Sequence, residues 1–334
     1  PSTCHGFHPL AGGGESNTRA ALASQVRGSV TAAVRRTSLA RVRACAVRCA
    51  VSVMTGISPE RCDRPAGGMH GLQLNVVAAL HTYLYGPEDG PEILALHGVT
   101  GHGRRWETLA HDHVPEARWI APDLLGHGRS TWSAPWNIEA HVAAIVDTLD
   151  AHARGPVLVV GHSFGGALAL HLANTAPHLV RGLVLLDPAI GLDGALMSKI
   201  AEFTIESPDY TDAAEARAEK AGEAWSDVPP EALDSEIEEH LVELENGRVN
   251  WRMSVPAVVA VWGELAREPV LPRPDVPTVL APAKKVQPPY TTAEFRAALS
   301  ERLGENLTTV EIDSHHMVPQ ARPKEVGELV RTLL

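Results

Sequence analysis

VLVVGHSFGGALALH, residues 157–171, places G-x-S-x-G (Gly161–Gly165) between an apolar run and a stretch with helical spacing. Val157–Gly161 is short, continuous and rich in β-branched residues, which suits a strand buried on both faces. Ala167–Thr175 is apolar at helical intervals. A strand, a sharp turn and a helix form the context that gives this motif its meaning. The glycines permit the close backbone approach such a turn needs. Ser163 then projects from the end of the sheet. The helix N-terminus sets backbone N–H groups beneath its hydroxyl, and the Phe164 N–H is placed to donate to a developing oxyanion.

The same alternation extends outward from this turn. Leu72–Ala79 and Thr82–Tyr85 read as an opening pair of strands, followed by Glu92–His97 and Trp119–Pro122. Asn137–Ala153 has a helical face of Ile138, His141, Val142, Ile145, Val146 and Leu149. Gly182–Asp187 is again a buried type of strand. Strands alternating with helices predict an α/β fold, with a mostly parallel central sheet covered by helices on both faces. The rhythm stops at residues 191–268, which are acidic and helix-like, with Pro229, Pro230 and Pro256 as breaks. Helices are expected at Gly194–Glu206, Ala213–Trp225, Glu231–Leu244 and Ala257–Arg267. The alternation resumes with Thr278–Ala281, Thr292–Leu303, Leu307–Asp313 and Lys324–Leu333. The expected organisation is therefore a core of residues 71–190 and 269–334, with an all-helical cap at 191–268.

Composition sets further bounds. The 334 residues are 44% hydrophobic and 21% charged, enough for a substantial core and unlike a disordered chain. A net charge of −11 argues against nucleic acid and against an anionic membrane surface as partners. No apolar run reaches the ~20 residues of a membrane span. Residues 1–70 differ from the rest: nine Arg, no Lys and three acids sum to +6, leaving −17 for the other 264 residues. This segment holds all four cysteines (Cys4, Cys45, Cys49, Cys62) and has no Met before Met54. It is expected to be a disordered or non-native extension. Arg35-Arg36 ahead of Thr37-Ser38-Leu39 has a weak twin-arginine look, but Arg41, Arg43 and Arg48 interrupt the apolar region that should follow. Cys45 and Cys49 have no second ligand pair, and the His111-Asp112-His113 run lacks matching ligands, so no metal is expected. The cysteine-free remainder suits a reducing cytosol, the expected location.

Two further motifs carry chemistry. His97-Gly98-Val99-Thr100-Gly101 follows an early strand, and its turn can aim the Val99 N–H into the pocket of Ser163. Its glycines lack the G-x-G-x-x-G spacing of a dinucleotide loop. Near the C-terminus, Ser314-His315-His316-Met317 follows the last strand, where a histidine can reach Ser163 as general base. The two adjacent histidines leave the register open.

Residues 71–334 resemble the α/β-hydrolase fold family, in its lipase/esterase-like branch. The matching pieces, in family order, are LHGVTGHGRRW (Leu96–Trp106), APDLLGHGRS (Ala121–Ser130), VVGHSFGGALALHLA (Val159–Ala173), GLVLLDPAIGLD (Gly182–Asp193) and IDSHHMVPQARPKEV (Ile312–Val326). The resemblance implies Ser163 as nucleophile, His316 as base with His315 in place of a glycine, and an oxyanion hole from the N–H groups of Val99 and Phe164. Serine in the elbow, where a carboxylate would stand, argues against dehalogenase and epoxide hydrolase chemistry. The family's usual acid position falls in Leu280–Tyr290, which contains no Asp or Glu. Asp187, after the strand that follows the nucleophile helix, is the leading substitute; Glu294, another carboxylate, or no acid at all are the alternatives. The implied activity is cleavage of a carboxylic ester of a small to medium apolar molecule through an acyl-enzyme, with no cofactor. Thioester or carbon–carbon bond hydrolysis, or a catalytically weak ligand-binding homologue lacking an acid, are the other readings. Trp132, Trp136, Met197, Trp225, Trp251, Trp262 and Met317 are expected pocket residues. Oligomeric state is not readable from the sequence.

Overall fold

The computed structural model describes residues 80–222 and 224–334. Seven strands form one sheet in the order β1-β3-β2-β4-β5-β8-β9. These are β1 (Thr82–Tyr85), β2 (Glu92–Leu96), β3 (Arg118–Pro122), β4 (Val157–His162), β5 (Val180–Leu186), β8 (Thr278–Ala281) and β9 (Leu307–Thr309). Only β1 runs antiparallel to its neighbour; every other pairing in this sheet is parallel.

Period-two alternation along the strands divides the core into two layers. Leu94, Leu96, Val159 and Leu185 face helices α1 (Ile138–His152), α2 (Phe164–Thr175) and α7 (Ala293–Leu303). Ile93, Ala95, Val160 and Val184 face Trp106, Leu109 and the terminal helix α9 (Pro323–Arg331). All six residues of β4 are buried. Each large apolar side chain so placed contributes roughly 1.5–3 kcal/mol. Helix starts are sharpened by side-chain caps: Asn137 accepts from the Ala140 N–H, and Thr292 from the Phe295 N–H.

Between β5 and β8 lie α3 (Gly194–Glu206), α4 (Ala213–Ala221), α5 (Pro230–His240), β6 (Leu241–Glu243), β7 (Val249–Trp251) and α6 (Val255–Glu264). The insertion is thus not all-helical. The helix expected over Glu231–Leu244 stops at His240, and the chain turns through a hairpin at Asn246-Gly247. Gly247 takes φ +77°, which a glycine adopts without strain. Asn-Gly between short strands is a hairpin signal that the acidic, helix-like surroundings masked. The strand expected over Leu307–Asp313 ends at Thr309, although Val310 and Ile312 still donate to Leu280 and Pro282 carbonyls. Pro282 has no N–H to continue the ladder. A short helix, α8 (Val318–Ala321), precedes α9. The strand expected at Leu72–Ala79 and the extension expected over residues 1–70 lie outside the described residues. No helix among the described residues is long and apolar enough to cross a membrane.

The first turn of α2 abuts the end of β2. A Cβ on Gly165 meets the Leu96 carbonyl oxygen at 2.1 Å, a backbone atom with no side chain to yield. Gly165→Ala is expected to lower stability by about 1–3 kcal/mol, the usual range for overpacking. Urea unfolding of the variant and the parent checks this; an unchanged midpoint contradicts the packing described.

Candidate active site

The sheet presents its C-terminal strand ends on one side, where open parallel sheets form their crevices. Ser163 sits between β4 and α2 at φ 55° and ψ −121°, a conformation that L-residues rarely adopt. Hydrogen bonds on both sides hold it there. The Ser163 N–H donates to the Leu186 carbonyl (3.1 Å), and its own carbonyl accepts from the N–H groups of Gly166 (2.9 Å) and Ala189 (3.1 Å). Phe164 is the first residue of α2, so its N–H has no acceptor within the helix. Opposite, the loop after β2 comes so close that a Cβ on Gly98 meets Ser163 Cβ at 2.8 Å. That approach brings the neighbouring Val99 to the cavity that Ser163 lines.

Asp187 follows β5 directly and is 1% exposed, with φ 42°. Its Oδ2 lies 2.6 Å from His316 Nδ1. Its Oδ1 accepts from the Ala283 N–H (3.1 Å) and the Thr291 hydroxyl (3.3 Å). The carboxylate is therefore fixed from three directions, two of them on the segment after β8. The His316 ring is also flanked edge-on by Tyr290 at 4.5 Å and tilted against His162 at 4.7 Å. His162 Nε2 donates to the His316 carbonyl (2.7 Å). Burial, and then the neighbouring His316, hold the His162 pKa well below the ordinary histidine value, so this ring acts as a neutral donor. The adjacent histidines are now distinguished. His316 meets the carboxylate, while the His315 backbone N–H donates to Asp227 Oδ2 (3.0 Å).

Buried polar groups organise the loop that carries Val99. His97 Nδ1 donates to the Gly98 carbonyl (2.7 Å), and its Nε2 accepts from the Leu124 N–H (2.9 Å). Burial, reinforced by His127, keeps it neutral. Asp123 accepts from the N–H groups of Gly103 (2.6 Å) and Arg129 (2.7 Å). Thr100 takes φ 60°, and its carbonyl accepts from Arg105 Nη2 (2.9 Å) and His240 Nε2 (3.1 Å). The insertion therefore grips the loop beside Val99.

A cavity of about 500 Å³ lies over these groups. Ser163, His316 and Val99 line it, as do Met197, Trp225, Trp251, Trp262 and Met317. Trp132 and Trp136 do not. Trp132 is 44% exposed, with its indole N–H on the Gly128 carbonyl, and Trp136 packs beside Gly126. Both belong to the loop that follows β3. Sequence reasoning also missed His162, Tyr290 and Thr291 around the histidine and its carboxylate, and the cluster in which Glu236 joins the cavity-lining Arg105 and Lys220. Lys220 stands in AEARAEKAGEAW, which reads as an exposed helix, and no local pattern marks it as buried. His162 alone had a signal, its place inside the G-x-S-x-G motif. Among the described residues no group of three or more His, Cys, Asp and Glu side chains is arranged to hold a metal ion. His111 packs edge-on against Tyr85, and Cys45 and Cys49 lie outside the described residues.

Residues 93–329 match the model of the alpha/beta hydrolase family. Lipase LipV of Mycobacterium tuberculosis is 52% identical over 259 residues, covering 78% of this chain and 99% of that protein. Among solved structures, a marine microorganism esterase superposes with a TM-score of 0.63 at 18% identity, covering 77% of this chain and 100% of that one. An E-2-(acetamidomethylene)succinate hydrolase gives 0.62 at 22% identity, covering 76% and 94%. With the family model spanning most of the chain and a relative matched over nearly its whole length, this chain belongs to the alpha/beta hydrolase family, as a hydrolase of its lipase/esterase-like branch.

Proposed function

We propose that the protein hydrolyses carboxylic esters of small molecules through an acyl-enzyme formed on Ser163. The observation that carries this reading is the 2.6 Å contact between Asp187 and His316 Nδ1, with His316 and Ser163 lining one cavity. Asp187 keeps the Nδ1–H in place, leaving Nε2 as the basic atom for the Ser163 proton. Attack of Ser163 Oγ on the ester carbonyl gives a tetrahedral oxyanion, which the N–H groups of Val99 and Phe164 stabilise. One such donor is worth about 10²–10³ in kcat. The imidazolium then protonates the leaving alkoxide. Water, activated by the same ring, releases the acid and restores Ser163.

Asp187 also bears on the acid missing from Leu280–Tyr290. That segment supplies Ala283 and Thr291, which orient the carboxylate from β5 in place of a carboxylate of their own. This supports an active enzyme over a binding homologue without an acid. The match to nearly the whole of LipV within 259 residues supports a catalytic unit confined to residues 71–334, with the insertion at 191–268 roofing the cavity as a cap. A panel of p-nitrophenyl esters of increasing acyl length, assayed with and without a serine-directed phosphonate, tests the proposal. Turnover that the phosphonate abolishes is expected. Ligand-induced thermal shifts without any turnover contradict it.

A further inference from the structure

The roof of the cavity contains a charge imbalance that the proposed chemistry does not use. Glu236, on α5, is 3% exposed and meets two cations: Arg105 through Nε (3.0 Å) and Lys220 through Nζ (2.7 Å). His102 Nε2 also donates to it (3.1 Å). Burial opposes ionisation of Glu236, but Arg105 and Lys220 pull its pKa well below the carboxylate norm. Among the described residues, Glu236 is the one carboxylate bonded to either cation. The trio Arg105, Lys220 and Glu236 therefore carries an excess of one positive charge. The side chains of Arg105 and Lys220 are 5% and 8% exposed, too buried for water to screen that charge cheaply.

Both cations line the same cavity as Ser163. The Lys220 ammonium stands 3.4 Å from the centroid of the Trp251 ring and 4.9 Å from that of Trp225. It has three N–H groups, of which Glu236 takes one. Burial lowers its pKa to about 8, partly offset by Glu236, the mark of a cation short of counter-charge. Glu219, also on the cavity, is exposed and accepts from the Tyr210 hydroxyl (2.9 Å). The lining also includes the apolar Met197, Ile200, Val258 and Leu265, together with Lys199, which is exposed to water. A mainly apolar pocket with a few fixed polar groups selects its ligand through those groups.

We propose that Lys220, supported by Arg105, forms a carboxylate-binding subsite, so that the preferred ester carries one negative charge away from the scissile bond. One missing negative charge matches a monoanionic carboxylate. The apolar side chains of Met197, Ile200 and Val258 on the same cavity would pack the carbon chain that joins it to the ester. This inference rests on the ester-hydrolase reading and narrows it to half-esters of dicarboxylic acids or esters of hydroxy acids.

The test compares the full-length parent, Lys220→Met and Lys220→Arg on two substrate series. One series is p-nitrophenyl half-esters of four- to six-carbon dicarboxylic acids against their methyl-ended analogues. The other is acetate esters of hydroxy acids against those of the corresponding alcohols. In at least one series the parent is expected to favour the charged ester by about tenfold or more in kcat/KM, which is ~1.4 kcal/mol. Lys220→Met should erase that preference, lowering kcat/KM for the charged esters by about tenfold more than for the neutral ones. Lys220→Arg should retain most of it, because the charge remains. A merely structural role for Lys220 would lower both substrates alike. A parent that prefers neutral esters throughout, or a Lys220→Met variant that keeps the charged preference, overturns the subsite and leaves the hydrolase reading intact. A parent that cleaves no ester overturns the hydrolase reading instead. The subsite is then decided by thermal shift with monomethyl glutarate: stabilisation of the parent but not of Lys220→Met upholds it, and equal or absent shifts overturn it.

Discussion

Ser163→Ala is expected to lower kcat by on the order of 10⁴-fold or more while leaving the fold in place. Its hydroxyl is no part of the packing that holds the elbow. The backbone bonds of residue 163 to Leu186, Gly166 and Ala189 survive the substitution, and alanine fits the space of a serine lacking its oxygen. The strain of φ 55° is borne by the surrounding structure, not by the side chain. Melting temperature should therefore stay within a few degrees of the parent. Residual activity above about a tenth of the parent would sink the nucleophile assignment, because no triad tolerates loss of its attacking atom at that level.

The second large effect is expected at Asp187. Asp187→Asn preserves shape but removes the charge facing His316 Nδ1. An asparagine can present its amide N–H₂ to that nitrogen, which favours the wrong tautomer and leaves an imidazolium unsupported during attack. In the type example of a triad this change costs about 10⁴-fold in kcat. The loss should appear in kcat with KM little changed, since Asp187 does not line the cavity. Stability should fall modestly, because the Ala283 N–H and Thr291 hydroxyl lose a charged acceptor. If Asp187→Asn keeps full activity, the carboxylate merely fastens the segment after β8 to the end of β5.

The difference between these two residues shows what the sequence discloses. The place of Ser163 is legible because it is written locally: strand, elbow and helix lie within fifteen residues, and strand and helix each have their own periodicity. The parallel sheet is legible for the same reason, since β4 and β5 are continuous apolar runs that only burial on both faces explains. Asp187 is different. The role proposed for it rests on contacts with Ala283, Thr291 and His316, which lie 96 to 129 residues away along the chain. The order of strands brings them together: β5 and β8 pair directly, although the whole insertion separates them in sequence. Nothing local at Asp187 records that pairing, so the sequence leaves the acid open among several candidates.

The insertion was the least legible region. Its helices carry enough charge to read as surface, yet Lys220, Glu236 and His240 are buried against Arg105 and Thr100 of the core. Ion pairs formed across elements leave no periodic signature. The Asn246-Gly247 hairpin was overlooked because β6 and β7 have three residues each, too short for alternation to stand out. Trp132 and Trp136 were misplaced by the converse error. Large aromatic residues suggest a pocket, but the loop after β3 turns them away from the cavity that the insertion's own tryptophans line.

The covalent intermediate tests the central claim most directly. The parent protein, mixed rapidly with an activated p-nitrophenyl ester and quenched in acid, should release a burst of about one equivalent of nitrophenol per protein before steady turnover. Intact mass should rise by one acyl group, and peptide mapping should place that group on Ser163, within Val157–His171. Turnover without a burst, together with no adduct under conditions that trap an acyl-enzyme, or an adduct mapping to any other residue, would contradict the account.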